Sequence, residues 1–175
     1  MAFMKKHPFL QVDYHSTVKF KPSEERQLDQ WLFMAGDVLQ FMLQNKIIKT
    51  KNLKSLHVSL LICGDARIRE LNREYRHKDK VTDVLSFPAH EDLRKGIFIE
   101  PVLFLGDLAI CHPQTKRQAK KFEIGYFDEF IHLFFHGVIH LMGFDHEVSL
   151  KEEKLMESWE QEALKKFSEI KKRAR

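Results

Sequence analysis

His136-Gly137-Val138-Ile139-His140-Leu141-Met142-Gly143-Phe144-Asp145-His146 spaces three imidazoles at intervals of four and six residues, with a glycine midway through the second interval. Four residues advance an α-helix by slightly more than one turn, so His136 and His140 project from one face and can grip one ion. Gly143 can take the left-handed conformation that ends a helix, which lets the chain turn back and bring His146 to the same ion. Three neutral imidazoles with no evident fourth protein ligand leave a coordination position open, as in catalytic rather than structural zinc sites. A lone histidine more often satisfies only its own hydrogen bonds. Three at this spacing predict a metal site of His136, His140 and His146 holding one Zn2+ per chain.

Upstream, the same helix is predicted over about 127–142 and is apolar around its circumference, at Phe130, Ile131, Leu133, Phe134, Phe135, Val138, Ile139, Leu141 and Met142. Such a helix lies at the centre of a domain. His132 falls one turn before His136; a fourth ligand, a proton carrier and a core histidine bonded to a carbonyl are all open, and the last is preferred because a fourth ligand would close the site. Asp107 and Asp145 are candidates for orienting the ligand imidazoles, or equally for capping turns.

The rest of the chain reads as one globular unit of 175 residues, 43% hydrophobic, with a formal charge of +4 and pI near 9.0. That length supports one well-buried core. Residues 1–6 carry no apolar run of signal-peptide length, and no uninterrupted apolar stretch is long enough to span a bilayer. Cys63 and Cys111 provide no disulfide framework, so a reduced cytoplasmic setting is expected and no membrane partner. Strands are expected at 9–14, where apolar residues alternate, at 56–62, at 84–88 closed by Pro88, and at 102–111, where Gly106 marks a bulge or a close approach. Amphipathic helices are expected after Ser23, read as an N-cap, and after Gly64, with Ile68, Leu71 and Tyr75 on its apolar side. A basic helix follows Pro113, and a last helix opens with Ser149 and Glu152 in capping-box spacing and buries Leu155, Trp159 and Ala163. Residues 89–101 read as an exposed excursion with little chemistry, and 170–175 as a basic, frayed tail. The cations Arg67, Arg69, Arg73, Lys116, Arg117, Lys120 and Lys121 form a possible track for a polyanion if they share a surface.

The histidine spacing matches that of the metzincin zinc peptidases, with one decisive difference. Those enzymes carry a glutamate directly after the first histidine as general base, and here that position is Gly137, which accepts no proton. Three segments together resemble the YbeY family of single-strand-specific, metal-dependent endoribonucleases of ribosomal RNA maturation. They are Tyr75-Arg76 through Pro88, Leu105-Gly106-Asp107-Leu108, and His132-Leu133 through the histidine motif, where Phe144 stands at a position commonly tyrosine in the family. The resemblance implies an α+β fold of one domain spanning 1–175. It implies a four-stranded mixed sheet, with about five helices packed around a central histidine-bearing helix and a zincin-like metal site. It implies that His136, His140 and His146 bind zinc and that Arg76 is the essential cation beside it, so that Arg76 and His136 carry catalysis. The substrate it implies is single-stranded and ribosomal RNA rather than DNA, with 16S rRNA 3′-end processing and ribosome quality control as the setting, and the small ribosomal subunit and its proteins as partners. Two other readings fit the residues: a ribosome-assembly factor whose metal is structural, and a zinc hydrolase or peptidase with an unconventional base.

Overall fold

Segments with alternating or continuous apolar character form strands, and those with helical periodicity form five α-helices among the described residues. The computed structural model describes residues 7–174; residues 1–6, where no signal sequence is expected, and Arg175 of the basic tail lie outside them. In chain order the elements are β1 (Leu10–Ser16), α1 (Pro22–Gln44), β2 (Lys49–Thr50), β3 (Ser55–Cys63), α2 (Asp65–Arg76), β4 (Val84–Pro88), β5 (Ile97–Phe98), β6 (Val102–Cys111), α3 (His112–Lys121), α4 (Tyr126–Leu141) and α5 (Leu150–Arg173). The main sheet has the order β1-β3-β6-β4, with β4 antiparallel to β6 and the other pairs parallel. The expected α+β architecture with a four-stranded mixed sheet is therefore the one observed.

Helix α4 fills the middle of the domain because nearly every face of it is apolar. Phe130, Phe134, Phe135, Val138, Ile139 and Leu141 are fully buried, and each contributes about 1.5–3 kcal/mol by leaving water. The helix crosses β4 and β6 and also packs on α1, α3 and α5. Gly137 sets how closely it approaches the sheet. A Cβ at that position would stand 2.7 Å from Leu108 Cδ2 and 3.3 Å from Ser86 Oγ, and the Ser86 hydroxyl donates to the Gly137 carbonyl at 3.3 Å.

The bulge anticipated at Gly106 is present. The register of β6 against β3 shifts so that Phe104 pairs with His57 and Gly106 with Val58, leaving Leu105 unpaired and fully buried. Gly106 has φ +132, and a Cβ there would fall 2.2 Å from the Phe87 carbonyl oxygen and 2.9 Å from Ala89 N. Only glycine combines that backbone conformation with that contact. Cys63 and Cys111 stand opposite each other in the register, both buried and both free.

Several local expectations change once tertiary contacts are seen. Lys21, not Ser23, caps α1: Pro22 takes the first turn, where its missing N–H costs nothing, and Glu24 Oε2 accepts from Lys21 N–H at 2.7 Å. Tyr75 is 56% exposed instead of buried, and its ring meets Phe87 edge-on. In α5 the buried stripe is Met156, Ala163 and Phe167, while Leu155 is exposed. The tail is not frayed from residue 170, since α5 continues to Arg173 with Lys171 bonded to Asp128 at 2.7 Å. Residues 89–101 are more than an exposed excursion: Leu93 is buried, and β5 pairs in parallel with β2.

Replacing Gly106 by alanine is expected to lower unfolding free energy by on the order of 2–4 kcal/mol through backbone strain and collision. Gly96→Ala, at an extended position with nothing within 4 Å of a Cβ, is expected to stay within about 0.5 kcal/mol of the native protein. Urea denaturation of the two variants checks the contrast.

Candidate metal centre

The end of α4 delivers the three imidazoles. Met142 caps the helix, Gly143 N–H reaches the His140 carbonyl at 2.9 Å, and Gly143 then turns the chain with φ +101. A Cβ on Gly143 would collide with Asp92, whose Oδ1 would be 2.5 Å away. Phe144 follows and is 2% exposed, so the loop is pinned one residue after its turn. Arg94 lies over the Phe144 ring, 4.7 Å from its centroid, and is itself held by Asp92 at 2.9 Å and by Glu152 at 2.6 Å. The segment 89–101 therefore braces the loop that carries His146, a role its composition does not reveal. Glu152 accordingly turns to Arg94, while Ser149 Oγ alone caps α5 by accepting from Glu152 N–H.

One nitrogen each from His136, His140 and His146 lies within 4.8 Å of the other two. The rings stand 4.7, 5.4 and 5.0 Å apart by centroid. His140 Nδ1 is 2.7 Å from the Phe144 carbonyl; a carbonyl only accepts, so this nitrogen carries the proton and Nε2 keeps its lone pair. Burial, and then the neighbouring His136 and His146 rings, lower the His140 pKa to about 4. It is neutral at neutral pH, as a metal ligand must be. His136 Nδ1 is 2.7 Å from Glu160 Oε1, the carboxylate–histidine pairing that orients ligand imidazoles and raises their basicity. Burial pushes the Glu160 carboxyl up, but the nearby His132 imidazole and the hydrogen bond with His136 outweigh it and hold the pKa at about 2. This donor set suits a borderline-soft divalent ion.

Glu160 was not among the residues singled out from sequence, though a signal existed. It continues the buried stripe of α5 with Met156, Ala163 and Phe167, where an acid has no reason to sit unless partnered. Asp107 and Asp145 do not take the orienting role. Asp107 is exposed on the sheet face opposite to Leu108, which packs on α4, and Asp145 Oδ1 accepts from Glu147 N–H within the turn. His132 is neither a ligand nor a carbonyl-bonded core residue. Its side chain is 40% exposed and lies between Glu129, at 3.6 Å, and Glu160, at 3.9 Å.

The open side of the cluster faces a cleft of about 450 Å³ whose walls include Arg76, Lys78, Lys80 and Ser86, together with the acids Asp83, Asp145 and Glu147. Arg76, the last residue of α2, thus shares a cavity with His136, His140 and His146. The arginines of the proposed basic track are paired with acids, while Lys116, Lys120 and Lys121 are exposed. Arg67 pairs with Glu70, Arg69 and Arg73 with Asp79, and Arg117 with Asp65, so most of the arginine charge on α2 and α3 is locally compensated.

An α+β domain with a three-histidine cluster capable of holding a metal ion, opening on a cleft that also contains Arg76, defines the class of this protein. The chain belongs to the YbeY family: the family model described as Endoribonuclease YbeY matches residues 19–168. An Endoribonuclease YbeY of Persephonella marina is 41% identical over 117 residues, covering 67% of this chain and 74% of that protein. One from Aquifex aeolicus is 41% identical over 116 residues, covering 66% and 73%. The solution structure of TM1509 from Thermotoga maritima shares the fold, with TM-score 0.57 and 22% identity over 94% of this chain and 93% of that one.

The carboxylates around His132 give a pH prediction. Glu129 first, then Glu160, raise its pKa from 6.5 to about 9 against the opposing effect of burial. A group whose folded pKa is raised stabilises the fold fully below its unfolded value and loses that stabilisation as pH rises through the folded value. The metal-free protein should therefore lose stability between pH 6.5 and about 9. His132→Gln should flatten that loss, as followed by thermal unfolding across the range.

Proposed function

We propose that this protein is a zinc-dependent endoribonuclease that cuts single-stranded RNA, with His136, His140 and His146 as the metal ligands and Arg76 as the catalytic cation. The observation that carries this reading is the single cleft shared by the histidine cluster and Arg76, with Lys78 and Lys80 on its wall. Membership of a family whose relatives are named endoribonucleases supports the reaction class. When bound, zinc supplies Lewis-acid polarisation of a phosphoryl oxygen and lowers the cost of forming a nucleophile.

The protein's own residues do the rest. His140 stays neutral and His136 stays oriented by Glu160, so both present a lone pair without reorganisation. Arg76 offers a planar fork that matches two phosphoryl oxygens and balances the charge they gain in the transition state. Lys78 and Lys80 hold flanking phosphates as point charges, contacts that position the strand and weaken with salt. Gly137 disfavours the peptidase reading in two ways. It removes the general base, and its place against Leu108 and Ser86 means that a larger side chain there would have to displace the Leu108 side chain.

Within this reading the physiological substrate is ribosomal RNA, at the 3′ end of 16S rRNA and in ribosome quality control. The small ribosomal subunit and its proteins are partners in the cytoplasm, and residues 1–175 act as one catalytic domain. Among the described residues no helix is long and apolar enough to cross a membrane, and Arg76, Lys78 and Lys80 on the cleft wall offer contacts to a polyanionic substrate.

Zinc-loaded protein is expected to cleave a single-stranded oligoribonucleotide, to spare the matching duplex and the DNA analogue, and to stop when the metal is chelated. Arg76→Ala should retain zinc and lose about 10²–10³-fold in rate. Lys78→Ala and Lys80→Ala should each mainly weaken binding and reduce the salt slope by about one. Full RNA cleavage by Arg76→Ala, or equal cleavage before and after chelation, overturns the assignment.

A further inference from the structure

His132 is the imidazole of α4 that the three-histidine cluster leaves aside. Glu129, His132, His136 and His140 recur at intervals of three and four residues, so they share one face of the helix. Glu129 is 2% exposed, and its Oε2 lies 3.6 Å from His132 Nδ1. Across the interface with α5, His132 Nε2 is 3.9 Å from Glu160 Oε2, while Glu160 Oε1 is 2.7 Å from His136 Nδ1. One carboxylate thus faces two imidazoles a helical turn apart, with one oxygen for each.

A buried carboxylate such as Glu129 is costly unless a cation stands beside it, and His132 supplies one. In return Glu129 holds His132 against α5. Glu160 is only 16% exposed, so water is a poor substitute for a lost partner. With His132 removed, Oε2 would have no ion-pair partner among the described residues, and the carboxylate could rotate away from His136. The sequence Glu129, His132, Glu160, His136 alternates acid and imidazole, which also sets negative charge around a divalent ion whose three ligands are neutral.

We propose that His132, anchored by Glu129, is a positioning residue for the metal centre, holding Glu160 in the orientation that fixes the His136 ring and its tautomer. This rests on reading His136, His140 and His146 as metal ligands. The competing account is that His132 only joins α4 to α5, in which case it would affect stability and nothing at the cluster.

The test is a double-mutant cycle on zinc affinity, measured by competition with a chromogenic chelator, together with the imidazole 15N shifts of His136 in metal-free protein. Glu160→Gln is expected to weaken zinc binding about 10–100-fold, and His132→Gln about ten-fold. The double variant should match Glu160→Gln within about two-fold, because the two residues act in series. In His132→Gln the His136 shifts should move from a single Nδ1–H form toward a tautomer mixture. Additive losses overturn the proposal, and so do unchanged affinity and unchanged shifts beside a lowered unfolding midpoint. Should His132→Gln not fold, Glu129→Gln releases His132 while keeping its ring and is read the same way. His140→Ala tests the metal reading separately. If that variant binds zinc as the native protein does, the ligand assignment fails, while the His136 tautomer in metal-free protein still decides the positioning role.

Discussion

The close seating of α4 on the sheet at Gly137 is the contact on which the rest depends. With Leu108 Cδ2 only 2.7 Å from where a Cβ would be, the helix lies low enough on β6 and β4 that any larger residue would require Leu108 to shift. That depth buries its four phenylalanines and brings His136 and His140 to the rim of the cleft beside Ser86. A packing requirement and a chemical one thus fall on one residue. The glycine that lets the helix settle also removes the carboxylate that a peptidase of this histidine spacing would use.

Two of the three imidazoles are oriented by hydrogen bonds, and the loop that carries the third is braced from outside the motif. His136 is fixed from α5 by Glu160. His140 is fixed by the Phe144 carbonyl, and Phe144 is in turn covered by Arg94, which Asp92 and Glu152 hold. The loop to His146 therefore lies between the segment before β6 and the first turn of α5. Orientation fixed in advance lowers the reorganisation needed when an ion binds.

Much of this was legible in the sequence, for identifiable reasons. Strand and helix periods, the bulge at Gly106 and the turn at Gly143 are local properties, and the three histidines lie within one short segment. Arg76 was placed by resemblance rather than by pattern, because an arginine at the end of an amphipathic helix is ordinarily solvated. Glu160, Glu129 and the bracing by Asp92 and Arg94 were not read. They act across helix and loop interfaces, and their partners are set by how elements dock. The same limit explains the basic helices: their arginines looked free in sequence, but Asp79 and Asp65 reach them only in the folded chain.

The position of β4 has a further consequence, for the behaviour of the molecule among its own copies. It is the antiparallel strand at one margin of the sheet, and such a margin offers unpaired amides and carbonyls to any passing extended chain. Here the strand has only five residues and ends at Pro88, which contributes no N–H and breaks the ladder. A foreign strand would find too short a template to zip along. The cleft can thus be bordered by an open sheet edge without inviting self-association there.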